Sequence, residues 1–165
     1  MHPREVEHGI YAKIRLARDM IDTHRDLPLA LRAAYLALHR RTDARFAEHQ
    51  VTADQFVLLA ALANGEALTQ RELSDQISSD PSTVRAMLVL LEANGFVKRE
   101  SHPSDARAKT VKLTAAGKRM NKKLWKAGQP IRDDMCGCMS AKEAEMLLAL
   151  LRNLTCAIND EATLV

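Results

Sequence analysis

The sequence predicts a mostly α-helical chain with one small β-hairpin. Three observations carry that prediction. Apolar residues recur at helical spacing over most of the 165 residues. N-terminal capping signatures stand before these runs, at Thr52, Thr69, Asp80, Thr114 and Ser140. Only residues 96–101 and 109–113 change to alternation, with a turn-rich tip between them. Aromatic residues make up 4% of the chain, so aliphatic packing is expected.

Residues 1–28 read as a helical extension in which Val6, Ile10, Ile14 and Ala17 share a face despite Gly9, ended by Asp26, Leu27 and Pro28. A long helix is predicted over 29–49, with Leu31, Tyr35, Leu38, Thr42 and Phe46 along one side. Thr52 then opens a helix that turns Phe56, Leu59, Leu62 and Ala63 to the core and stops at Asn64 and Gly65. Thr69 and Glu72 form a capping box for a short helix whose apolar face is Leu73 and Ile77. Ser78 and Ser79 break it, and the next helix starts at once, with Asp80 as N-cap and Pro81 at its first position. That helix runs to Asn94 and ends at Gly95.

After the hairpin, Thr114 caps a helix carrying Met120, Leu124 and Trp125, which Gly128, Gln129 and Pro130 weaken or kink. Ser140 and Glu143 box the last helix. Its Met146, Leu147, Leu150, Leu151, Leu154 and Ile158 form a stripe too wide for one face of a lone helix.

At 47% apolar and 27% charged, the composition is that of a globular chain. No run of about 18 apolar residues occurs, nor an apolar N-terminal leader, so the expected location is cytoplasmic with no membrane partner. The net charge of +3 conceals a segregation: residues 97–126 hold ten Lys and Arg against two acids, +8, leaving −5 for the rest. A basic segment of that kind favours a polyanion, because each neutralised phosphate releases a counterion.

Helix, turn, helix and basic hairpin in that order make the winged form of a helix-turn-helix module, which puts the start of the second helix in a DNA major groove. Ser82, Thr83 and Arg85 lie there. Arg107, on the hairpin tip, suits a flanking minor groove, while Lys98, Arg99, Lys109 and Lys112 suit phosphates. Thr69 and Gln70, opening the first helix, complete the candidate contacts.

The run Leu68-Thr69-Gln70-Arg71-Glu72-Leu73, then Asp80-Pro81-Ser82-Thr83-Val84, then Leu91-Glu92-Ala93-Asn94-Gly95-Phe96-Val97-Lys98-Arg99, resembles the MarR family of bacterial transcription regulators. Asp105-Ala106-Arg107, Val111-Lys112-Leu113-Thr114-Ala115-Ala116-Gly117 and, upstream, Val51-Thr52-Ala53-Asp54-Gln55-Phe56-Val57-Leu58-Leu59 extend the match, which covers residues 29–159. The resemblance implies a winged helix-turn-helix lobe over 52–114 and dimerisation helices over 29–49 and 115–162. It also implies a homodimer on an inverted-repeat operator in double-stranded DNA, and repression relieved by a small-molecule effector. Such effectors are often aromatic or phenolic acids, bound between the dimer helices and the DNA-binding lobe, and Tyr35, His39 and Trp125 are the candidate contacts. Two departures stand out. Ala86 replaces a basic residue frequent in the family and is followed by apolar Val89 and Leu90, and the wing tip keeps only its last arginine. Sparse base readout is therefore expected.

Cys136, Cys138 and Cys156 read either as a thiol-based redox switch or as structural thiols, but the reactive cysteine of peroxide-sensing relatives lies near the N-terminus, where this chain has none. The six histidines are scattered without ligand spacing, so no metal or cofactor is expected. Neither a phosphate-binding Gly-rich loop nor a nucleophile elbow occurs, so an enzyme is not expected. A winged helix that binds protein instead of DNA is the alternative that Val89 and Leu90 favour.

Overall fold

The computed structural model describes residues 22–65, 67–101 and 109–162. The expected N-terminal face at Val6, Ile10, Ile14 and Ala17, and the hairpin tip with Arg107, lie outside these residues. The chain divides into two units, one ending at Arg40 and one beginning at Arg41.

Helix α1 covers Thr23–Phe46 and contains Pro28, which corrects the expected break at Asp26 to Pro28. Proline forfeits a single i to i−4 bond there, and it does so in the second turn, where the helix is already opened by Arg25 and Asp26 N–H groups on the Asp22 carbonyl at 3.0 and 2.7 Å. Within the first unit Leu27, Leu29, Tyr35 and Leu38 are exposed and Leu31 is half-buried. A 3-10 turn, Ala47–His49, follows α1.

The second unit is built on α2 (Ala53–Leu62), β1 (Leu68–Thr69), α3 (Gln70–Gln76), α4 (Pro81–Ala93), β2 (Val97–Ser101), β3 (Lys109–Leu113), α5 (Ala115–Ala127), α6 (Gln129–Gly137) and α7 (Ala141–Ala162). The capping boxes at Thr52 with Gln55, Thr69 with Glu72 and Ser140 with Glu143 are all present, as are the caps at Asp80 and Thr114. Ser78, at φ 50°, turns the chain between α3 and α4, and Gly95, at φ 71°, takes it out of α4.

The hairpin is joined by a third strand that sequence patterning does not reveal. Antiparallel β1 pairs with β3, Leu68 opposite Val111, and the sheet order is β1-β3-β2. Two residues are too few to show alternation, and Thr69 serves as strand end and helix cap together.

The core gathers Phe46, Leu58, Leu59, Leu62, Leu73, Val84, Leu88, Leu91, Val97, Val111 and Leu124. On α2 the expected inward face is corrected in part. Leu58 is fully buried, Phe56 packs only partly against the core, and Ala63 is exposed because the helix has ended and Ala63 is its C-cap. The first turn of α5 is fixed to the end of α4. Thr114 donates its backbone N–H to Phe96 O at 3.0 Å and its hydroxyl to Gly95 O at 2.7 Å. Gly117 follows against the same carbonyl, where an added Cβ would lie 1.9 Å from Phe96 O. The break at Gly128 separates α5 from α6 as the sequence predicts. Among the described residues no helix is long and apolar enough to cross a membrane.

Candidate nucleic-acid interface

Local capping sets the helix pair. Thr69 Oγ1 accepts from Glu72 N at 3.2 Å while Glu72 Oε2 accepts from Thr69 N at 2.7 Å, so α3 starts at a fixed point. Gln70 Nε2 donates to Pro81 O at 3.0 Å and ties the start of α3 to the start of α4. Asp80 accepts from the Ser82 hydroxyl and from Thr83 N at 2.9 Å. The hydrogen bond from Ser82, followed by those from Thr83, holds its carboxyl well below the usual aspartate range.

The orientation of α4 follows from what it buries. Val84, Met87, Leu88 and Leu91 face the core. At about 3.6 residues per turn the opposite line is Ser82, Ala86, Val89 and Ala93, all exposed. Thr83 and Leu90 sit on one flank of that line and Arg85 and Glu92 on the other. The Arg85 flank faces the strands, since Glu92 pairs with Arg99 on β2 at 3.5 Å.

The pleat divides the four strand cations. Val97, Arg99 and Ser101 share a face with their partners Leu113, Val111 and Lys109, whereas Lys98, Glu100 and Lys112 lie on the other face. Arg99 and Lys109 therefore join Arg85 and Gln70 around a cleft of about 240 Å³ floored by Leu88 and Val111. One terminal nitrogen of Arg99 is buried with no hydrogen-bond partner among the described residues. Three cations and an unsatisfied guanidinium donor suit a phosphate oxygen or another anion. On the far face Glu100 takes Lys98 at 2.7 Å and also Lys112, and these two bonds, that of Lys112 first, hold its carboxyl below the usual glutamate range.

Among the other candidates, Tyr35 and His39 pair on α1 with ring centroids 5.6 Å apart. Trp125 is exposed on α5, with the Arg132 guanidinium 4.1 Å above its ring and Phe56 at 6.2 Å. All three cysteines are exposed thiols. Among the described residues no cluster of three His, Cys, Asp or Glu is placed to hold a metal. Sequence reasoning missed Gln70 as the brace between the helices and Glu100 as the partner of two lysines. The strand lengths that set Lys98 opposite Lys112 held the signal for the second.

A braced helix pair, its second member exposed beside a basic antiparallel sheet, defines a winged helix-turn-helix DNA-binding protein. The MarR family model matches residues 51–109. The transcriptional regulator HosA of Escherichia coli O111:H- is 29% identical over 104 residues, covering 63% of this chain and 77% of HosA. The crystal structure of wild-type MarR from E. coli in its apo form aligns with a TM-score of 0.66 at 26% identity, over 78% of this chain and 96% of that one. The transcriptional repressor CouR, solved bound to a 23-mer DNA duplex, aligns with a TM-score of 0.73 at 25% identity, over 82% and 96%. The chain belongs to the MarR family and is a transcriptional regulator.

Proposed function

We propose that the protein is a homodimeric repressor that holds an inverted-repeat operator and leaves it when a small aromatic or phenolic-type ligand binds. The observation that carries this reading is the surface of α7, where Met146, Leu147, Leu150, Leu151 and Ile158 are each 37–65% exposed in the single chain. Apolar residues at that density on a helix mark association, and a second copy of the same helix is the self-complementary partner that two-fold symmetry supplies. Residues 29–49 and 115–162 then serve as dimerisation helices, and residues 52–114 as the DNA-reading lobe. A dimer presents two copies of α4, which suits two half-sites about one helical turn apart.

In the lobe, Arg85, Arg99 and Lys109 take the backbone next to α4, with Ser82 and Thr83 at the groove, Thr69 and Gln70 at the start of the helix pair and Arg107 on the wing tip. Lys98 and Lys112 meet phosphates only from the far face of the sheet. Tyr35 with His39, and separately Trp125, remain candidate effector contacts. The effector acts by binding the DNA-free conformation more tightly, and a change from 1:99 to 99:1 requires about 5.5 kcal/mol of such preference. The proposed compartment is the cytoplasm, and the proposed activity is binding without catalysis.

Sedimentation of the full chain, with gel-shift titration on random and selected duplexes at two salt concentrations, tests the reading. A dimer with a steep salt slope and a selected operator is expected. Adding a panel of aromatic acids should yield a compound that raises Tm and weakens operator binding together, since both follow from one preferred state. A monomer with no salt-dependent duplex binding overturns the proposal.

A further inference from the structure

The outward line of α4 carries almost nothing that hydrogen-bonds. Past Ser82 it consists of Ala86, Val89 and Ala93, and Val89 stands 51% exposed with Leu90 beside it at 55%. Exposed β-branched and branched aliphatic side chains on a helix cost solvation in the free protein, so a partner that buries them gains what water loses. The charges around that line say which partner. Arg85, Arg99 and Lys109 crowd one flank, and a protein surface closing on Val89 would strip water from those guanidinium and ammonium groups without repaying it. A polyanion repays it at once. In the major groove of DNA the one apolar group on any base edge is the C5 methyl of thymine.

We propose that this regulator reads its operator chiefly through thymine methyl groups, with Val89 as the principal specificity-determining residue and Ala86 setting the closeness of approach. Ala86 has no side chain beyond Cβ, so the helix backbone sits deep enough for Val89 to reach a base edge one turn further along. The cations on the flank then fix register on the phosphates without selecting sequence. A methyl-reading helix would prefer T over C at the contacted positions, which differ in the groove by this methyl as well as by the exocyclic group. The inference rests on α4 being the base-reading helix, and it names how that helix reads.

The test begins by selecting duplexes that the full-length protein retains from a random pool at moderate salt. Each thymine of the selected site is then replaced by deoxyuridine, which removes the methyl and nothing else. One or two positions per half-site should lose about fourfold in affinity, the effect of returning one methyl-sized group to water. Val89→Ala, checked for unchanged Tm and sedimentation, should bind thymine and deoxyuridine equally at one of those positions. Equal binding of all deoxyuridine sites by the unaltered protein, with the selected duplex still preferred over random duplex, overturns the methyl readout and leaves the DNA reading standing. Absence of any selected duplex overturns both. A change of mass on sedimentation in Val89→Ala assigns the surface to a protein contact and overturns the proposal as well.

Discussion

Lys98 and Lys112 stand directly opposite each other on β2 and β3, a repulsive pair that Glu100 bridges. The carboxylate cancels one of the two positive charges on the far face of the sheet and competes with phosphate for both ammonium groups. Glu100→Gln should therefore strengthen binding to random duplex and steepen the salt dependence, while selected operator gains less. Equal salt slopes for the variant and the parent would show that these lysines never meet DNA. Asp80 makes the start of α4 sensitive to acid. Its folded carboxyl is lowered below the ordinary value of 3.8 by the bonds from Ser82 and Thr83. The stabilisation is therefore fully present above that value and disappears as pH falls through the lower folded one. Thermal melts between about pH 5 and pH 2 should show the parent losing Tm more steeply than Asp80→Asn, which keeps an acceptor but has no charge to titrate.

Where helices meet, close packing replaces charge as the deciding term. Gly117→Ala would drive a methyl against the Phe96 carbonyl, a backbone atom already holding Thr114, so neither side can yield cheaply. A marked fall in Tm is expected, and an unchanged melt would show that the first turn of α5 shifts freely. Leu88 is fully buried on α4, so Leu88→Ala should cost about 2 to 5 kcal/mol, read by denaturant unfolding. The caps at Thr52, Thr69, Asp80, Thr114 and Ser140 were legible in the sequence because each is a contact between residues three apart. Gly95 and the period change after it were legible for the same reason. Pro28 was misread because a breaker's position within the helix decides its cost. Strand β1 escaped because its partner lies more than 40 residues away. Ser82, Thr83 and Arg85 were picked out by distance along α4 alone. Only the buried set Val84, Met87, Leu88 and Leu91 shows that Arg85 belongs to the flank and Val89 to the outward line. Likewise four strand cations looked equivalent until the register put Arg99 and Lys109 on one face and Lys98 and Lys112 on the other.

For the whole molecule, the exposed aliphatics of α7 are the surface on which the proposed dimer rests. Leu150→Glu with Ile158→Glu should convert the proposed dimer to a monomer on sedimentation. Operator affinity should then fall far more than twofold, because the second half-site is no longer bound intramolecularly. A stable dimer from that variant would move the interface elsewhere. The joint at Thr114 gives such an assembly a mechanical property. One threonine holds the carbonyls of Gly95 and Phe96, so the exit of α4 and the entry of α5 are tied at a common pivot. Helix α5 is a rod of about 20 Å, and a sideways push of about 2 Å at its far end is a rotation of about 6° at that pivot. In the proposed dimer a push no larger than a methyl group would act as a crank, throwing both reading heads out of step with the turn of the double helix.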